Sequence, residues 1–154
     1  MNFGIVTMIV LDSYEHYCEN RKERDSMNAG VTGKQTITVT EDKTAKVMGS
    51  GMLPVYATPA MIALMENTAA LSVAGELEEG CGTVGTLINV KHLSATPIGM
   101  EVTCETKLIE VDRKRLVFEV KAYDAAGVIG EGTHERFIID NEKFMVKAEG
   151  KKTL

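Results

Sequence analysis

Residues 59–74, PAMIALMENTAALSVA, form a stretch of helical length that is apolar almost all round. No proline interrupts the stretch after Pro59, a residue that suits the first turn of a helix, and Thr58 is well placed to cap it. Gly75 is a plausible C-terminal stop. Because a helix without a polar stripe is usually buried on most sides, we expect the remaining elements to pack around this one.

Glu66 is the single charged residue in this stretch, with Ile62 and Ala70 four residues to either side on the same face. A carboxylate on a buried helix is costly unless it is hydrogen-bonded, paired or used in chemistry. The helix alone leaves two interpretations open. Glu66 is either a structural carboxylate that reaches an arginine or the surface, or a functional group.

The composition is that of one soluble globular domain of 154 residues with an aliphatic core, since aromatic residues make up only 5% of the chain. The net charge of -5 argues against nonspecific binding to nucleic acid. The three cysteines are widely spaced, and the three histidines form no ligand-spaced cluster with them. We therefore expect free thiols, no metal site and a cytoplasmic protein.

Residues 1–26 are unlike the rest of the chain. The apolar run MNFGIVTMIVL is too short to span a membrane, lacks the basic leading region of a signal peptide, and is followed by charges of alternating sign. Our hypothesis is a dispensable extension, disordered or belonging to a misassigned start, with a helix packed on the domain as the alternative. Residues 27–154 are then one domain.

Five runs of alternating or β-branched residues predict strands, and short turn sequences such as DRKR at 112–115 predict hairpins between them. Residues 41–52, with two glycines, are a connector or mobile lid. The pattern predicts an α+β fold in which one long central helix is wrapped by a curved antiparallel sheet of about five strands. Because two such sheets paired edge to edge would hide more of the helix, we also expect a homodimer. The predicted strands are residues 35–40, 83–93, 100–111, 116–123 and 128–139.

This layout resembles the hot-dog fold, and three segments extend the likeness. LPVYATPAMIALMENTA, GTVGTLINVKHLSATPIGMEV and IGEGTHERFII are similar in order and spacing to the fluoroacetyl-CoA thioesterase-like branch of the hot-dog thioesterases. The likeness covers about residues 36–147. It implies a hydrolase that cleaves an acyl-CoA thioester, with coenzyme A entering as part of the substrate and no separate cofactor.

The resemblance also implies site residues. The catalytic threonine, glutamate and histidine of the family correspond to Thr58, Glu66 and His92, and its glycine near the thioester corresponds to Gly85. Three more positions complete the comparison. Arg136 corresponds to the arginine of the GTHER motif, and Met52 stands near the place of an aromatic lid residue. With Gly85, the resemblance implies that these residues bind the substrate. His134 receives no role from the resemblance.

Glu66 could then act as a general base on water or attack the thioester directly. His92 could orient the reactants or protonate the leaving thiolate, and the Gly85 N–H could donate to the oxyanion.

Each assignment has a structural alternative. Thr58 could serve only as a helix cap, His92 as a satisfied structural histidine, and Gly85 as the mark of a β-bulge. Arg136 could simply pair with an acid such as Glu135 or Glu131. The sequence leaves these alternatives open.

The function that the residues and the resemblance predict together is hydrolysis of a small acyl-CoA by a cytoplasmic dimer, which could pair further into a tetramer. A non-catalytic acyl-CoA-binding or sensing module is the main alternative. A hot-dog hydratase is less consistent, because Thr58-Pro59 and Glu66 do not supply the Asp/His pair such enzymes use near the start of the helix.

Overall fold

One antiparallel five-stranded sheet is the main element of the computed structural model, which describes residues 27–153. The hypothesis about residues 1–26 concerns a segment outside the described residues. The strand order β1-β3-β4-β5-β2 leaves β1 and β2 at the two edges. The strands are β1 (Thr32–Thr38), β2 (Cys81–His92), β3 (Glu101–Asp112), β4 (Arg115–Asp124) and β5 (Gly127–Asp140).

The central helix, α2 (Thr58–Val73), packs on one face of this sheet. The predicted hot-dog fold, one long helix on an antiparallel sheet of five strands, is therefore confirmed. The predicted connector contains a short helix, α1 (Ala45–Met48). A last helix, α3 (Asn141–Glu149), was not predicted. Asp140 caps α3 by accepting a hydrogen bond from the Lys143 N–H.

The core lies between α2 and the sheet, and the predicted alternation of β3 and β4 is what fills it. Alternate residues from Val102 to Leu108 and from Leu116 to Ala122 point toward the helix and are buried. Burial of each large aliphatic or aromatic side chain contributes about 1.5–3 kcal/mol. The sheet contributes Val102, Cys104, Leu108, Leu116, Phe118, Val120 and Ala122, and the helix contributes Met61, Leu64, Met65, Ala69 and Val73.

The opposite face of α2 is not covered by the other elements of residues 27–153, so the prediction of a helix buried on most sides is wrong for this part of the chain. Leu71 is 59% exposed, Ala63 is exposed, and Ile62 and Ala70 are only half-buried. One sheet can cover only one face of a helix. The apolar residues on the other face remain available for another surface.

The two edge strands differ in character. β1, TGKQTIT, is polar and carries Lys34, as is typical of an edge protected from further pairing. β2 carries Leu87, which is 47% exposed, and Leu93 follows it directly with 54% exposure. The apolar edge of the sheet is therefore β2, next to the uncovered face of α2.

The cysteines fulfil the expectation of free thiols only in part. Cys104 is unpaired and buried in the core. Cys81 is disulfide-bonded, so the expectation is wrong for this residue. Among the described residues, none of the helices has the length and apolar character needed to cross a bilayer.

Candidate active site

The hydroxyl group of Thr58 contacts a histidine rather than the helix that it begins. Thr58 is the first residue of α2, and the N-cap position belongs to Ala57, which makes no side-chain cap. The Thr58 Oγ1 atom lies 2.8 Å from His92 Nδ1 at the end of β2. The prediction of Thr58 as the helix cap is therefore wrong.

The second ring nitrogen of His92 is buried and has no hydrogen-bond partner among residues 27–153. If Thr58 donates to Nδ1, the unpartnered atom is an N–H donor at Nε2. If Nδ1–H donates to Thr58, the unpartnered atom is an acceptor. In either tautomer His92 keeps one unused hydrogen-bonding atom, which is unusual for a buried polar group in a purely structural role.

A β-bulge in β2 sets which way its side chains point. The pairing of β2 with β5 shifts between Gly85 and Leu87, so Thr86 is the extra residue. Seven residues separate Gly85 from His92, and in a regular strand an odd separation would place them on opposite faces. The bulge reverses this parity, and both positions face α2. The interpretation of Gly85 as the mark of a bulge is thus confirmed, together with its position beside α2.

Gly85 lies directly against the carboxylate of Glu66. A Cβ atom at position 85 would be 2.5 Å from Glu66 Oε1 and 3.1 Å from His134 Cε1. Only glycine leaves room for the carboxylate in its present position. The Glu66 side chain is 41% exposed, so it is not the buried charge that the apolar sequence around it suggested. It borders the uncovered side of α2.

Arg136 lies beneath Glu66 and is only 7% exposed. Its Nε and Nη2 atoms each donate over 2.8 Å to Thr83, one to Oγ1 and the other to the carbonyl oxygen. Its Nη1 atom donates to the Glu66 carbonyl oxygen at 3.3 Å and to His134 Nε2 at 3.1 Å. Burial lowers the pKa of Arg136, and the nearby Glu66 carboxylate opposes this shift.

The two acids named as partners for Arg136 pair with other residues, so that prediction is wrong for Glu135 and Glu131. Glu135 instead receives two hydrogen bonds from Arg115, at 2.8 and 2.6 Å. Glu131 is 3.8 Å from the Lys121 ammonium group.

His134 is the residue of this region that sequence reasoning missed. It is fully buried, and its Nδ1 atom is 2.8 Å from the Leu87 carbonyl oxygen. Burial is the main cause that lowers its pKa, and the charge of Arg136 lowers it further. The sequence carries one signal for His134, because it stands two residues before Arg136 and therefore on the same face of β5. The glycines at 130 and 132 obscured that alternation.

Met52 is not brought to either group of residues. It lies in the loop between α1 and α2 with 88% of its surface exposed.

The candidate residues thus form two clusters within one chain. The first joins Thr58 and His92 at the N-terminus of α2, and the second joins Glu66 to Gly85 and Arg136. Eight residues of α-helix separate Thr58 from Glu66, which corresponds to about 12 Å along the axis and about 80° around it.

The sequence of this chain is similar to sequences of known proteins. The chain matches the model of the fluoroacetyl-CoA-specific thioesterase family over residues 39–142, which include both clusters. It is 44% identical over 97 residues to the fluoroacetyl-CoA thioesterase of Streptantibioticus cattleyicolor, an alignment covering 63% of this chain and 70% of that protein.

Solved structures agree with this assignment. A structure of the fluoroacetyl-CoA thioesterase FlK is similar with a TM-score of 0.78 at 37% identity, covering 82% of this chain and 98% of that one. A thioesterase superfamily member from Thermus thermophilus has a TM-score of 0.77 at 26% identity, covering 84% and 96%. The chain therefore belongs to the fluoroacetyl-CoA-specific thioesterase family, and it is a thioester hydrolase.

Proposed function

We propose that this protein hydrolyses small acyl-CoA thioesters to the free acid and coenzyme A, with Thr58, Glu66 and His92 as its catalytic residues. The observation that carries the proposal is the 2.8 Å contact between Thr58 Oγ1 and His92 Nδ1. The Thr58 hydroxyl, at the start of α2, thus contacts a histidine whose other ring nitrogen has no partner among the described residues.

The same proposal includes a homodimer in which each active site draws on both chains. Thr58 and Glu66 are too far apart along α2 to act on one carbonyl carbon, because reacting groups must approach to about 3–3.5 Å. A second copy related by a two-fold axis, with α2 running in the opposite direction, would bring its Glu66 toward Thr58 of the first. The uncovered apolar face of α2 and the apolar edge strand β2 support this arrangement.

The chemistry follows from the two clusters. Glu66, half-exposed beside Gly85, takes a proton from water or attacks the thioester carbon directly. The Gly85 N–H and the positive end of the α2 dipole stabilise the oxyanion as it forms. His92, held by Thr58, donates the proton that the departing thiolate requires.

For the acyl group, we infer a small acid without a strict requirement for fluorine. The relative from Streptantibioticus cattleyicolor is named for fluoroacetyl-CoA. Here Met52 stands near the lid position, and it is 88% exposed and flexible rather than aromatic. We place the enzyme in the cytoplasm, where acyl-CoA substrates are made.

Complementation between two inactive variants tests the shared site. One variant carries Thr58→Ala with His92→Ala, and the other carries Glu66→Gln. When the two are unfolded and refolded together, half of the dimers are mixed, and each mixed dimer has one intact site. About a quarter of the wild-type thiol release should therefore return. Mixed dimers that form but release no thiol would contradict the shared site, and a monomeric wild type would contradict the dimer.

A further inference from the structure

His134 is a buried titratable residue to which neither the proposed mechanism nor the family resemblance gives a role. It lies on β5, opposite Ile88 of β2 in the register of the sheet. Its side chain is inaccessible to solvent, so it cannot touch the substrate. Both of its ring nitrogens nevertheless have specific partners, which calls for an explanation beyond the filling of space.

The partners of His134 fix its protonation state. The Leu87 carbonyl oxygen, 2.8 Å from Nδ1, can only accept, so Nδ1 carries a proton. The Arg136 guanidinium, 3.1 Å from Nε2, can only donate, so Nε2 must be an unprotonated acceptor. Only the neutral Nδ1–H tautomer satisfies both contacts.

The two contacts lie on either side of the bulge in β2. Arg136 holds Thr83, before the bulge, through two hydrogen bonds of 2.8 Å. His134 holds Leu87, immediately after it. Because the two side chains are also bonded to each other, they form a clamp that spans Gly85 and Thr86, the segment whose position leaves room for Glu66.

The clamp reaches the Glu66 carboxylate as well. His134 Nε2 is 4.0 Å from Glu66 Oε1, and Arg136 Nη1 donates to the Glu66 carbonyl oxygen. The His134 ring thereby takes up one Arg136 donor that would otherwise be free to turn toward the carboxylate. The Glu66 carboxylate therefore lies next to the positively charged Arg136, whose hydrogen bonds go to other groups.

We propose that His134 is a positioning residue of the thioesterase site, which ties the Leu87 carbonyl to the Arg136 guanidinium and so fixes the bulge and the charge beside Glu66. This inference rests on the proposed function, since it concerns the placement of the Glu66 carboxylate. It predicts an effect on kcat rather than on KM, because His134 does not contact bound substrate.

Two amide substitutions separate the two contacts of the ring. The longer side chain introduced by His134→Gln would place its amide at about the position of Nε2, and the shorter one introduced by His134→Asn at about the position of Nδ1. Therefore His134→Gln keeps an acceptor for Arg136, and His134→Asn keeps only a donor for Leu87. We expect His134→Asn, which leaves the Arg136 donor free to turn toward Glu66, to lower kcat roughly 10- to 100-fold, because about 1 Å of misplacement is enough for such a loss. His134→Gln releases only the Leu87 carbonyl and should lower kcat less.

Phe118→Leu is the matched control. The Phe118 ring packs near His134, with centroids 6.4 Å apart, and this variant loosens the same part of the core without removing a hydrogen bond. Its kcat, corrected for the folded fraction, should stay near that of the wild type. Equal kcat for the His134→Asn and His134→Gln variants, or losses that follow the thermal stability alone in all three variants, would overturn the proposal.

Arg136→Lys gives an independent measurement should the His134→Asn variant fail to fold. Lysine keeps the charge but cannot reproduce the geometry of the guanidinium, so kcat should fall while KM stays constant. Wild-type kcat in Arg136→Lys would overturn the inference. If the wild type itself releases no thiol from any acyl-CoA, both the proposed function and this inference fail. If the wild type is active and the His134 variants equal it, only the inference fails.

Discussion

Gly85→Ala is predicted to reduce activity without reducing stability. The new Cβ would lie 2.5 Å from Glu66 Oε1, whereas ordinary contacts begin at 3.4 Å, so the carboxylate oxygen must move by 3.4 − 2.5, or about 0.9 Å. The atom that must move farthest is the end of a flexible side chain, while the buried His134 ring, 3.1 Å from the new Cβ, must give by only a few tenths of an ångström. Gly85 does not have a positive φ angle, so alanine fits the backbone. The free energy of unfolding should therefore change by less than about 1 kcal/mol.

A misplacement of about 1 Å in a catalytic group can cost roughly 100-fold in rate, which corresponds to about 2.7 kcal/mol in the activation free energy. The assay is release of free coenzyme A from a short-chain acyl-CoA, with kcat and KM determined separately. Gly75→Ala is the matched control, because a Cβ at Gly75 meets nothing within 4 Å. A Gly85→Ala enzyme with wild-type kcat would refute the placement of Glu66 at this glycine.

Three further predictions follow from the contacts. Thr58→Val should lower kcat by tenfold or more, since loss of a hydrogen bond to His92 of about 1.4 kcal/mol corresponds to a factor of ten, while Thr58→Ser should retain most of the activity. Equal activity of the two variants would remove the hydroxyl group from the mechanism. Because the pKa of His134 is held below its usual 6.5, the protein should lose stability as the pH falls below that value. In this range the unfolded chain binds a proton that the folded chain does not. The free energy of unfolding of the wild type, measured by urea titration, should therefore fall relative to that of the His134→Gln variant by up to about 1.4 kcal/mol per pH unit. Parallel plots of unfolding free energy against pH for the two proteins would contradict this. Burial raises the pKa of the Cys104 thiol to about 11. An alkylating reagent at neutral pH should therefore label Cys104 only after unfolding, which peptide mass spectrometry would show. Rapid labelling of the native protein would contradict the burial of this residue.

The sequence was sufficient for the architecture because its main signals are local. The alternation of residues 116–123 assigned Leu116, Phe118, Val120 and Ala122 to the core, and all four are buried. The apolar stretch at 59–74 likewise located α2. Such periodicity depends only on neighbouring residues and the geometry of the element.

The features that the sequence did not predict depend on contacts between distant segments. His134 and Leu87 are 47 residues apart, and their hydrogen bond exists only because β2 and β5 pair in one register. The bulge at Thr86 likewise reverses the parity between Gly85 and His92, which no local pattern announces. The partial exposure of Glu66 arises because one sheet covers one face of α2.

The most direct test of the proposed hydrolase is the comparison of wild type with Glu66→Gln on a panel of short, medium and aromatic acyl-CoAs. Free thiol release is the readout, and Gln keeps the shape of the side chain without its charge. The wild type should turn over the small acyl-CoAs, and the variant should be slower by roughly a hundredfold or more, because a positioned base is lost. Equal turnover in both would remove Glu66 from the mechanism. Acyl-CoA that stays bound and intact with both would mean that the protein binds the thioester without cleaving it.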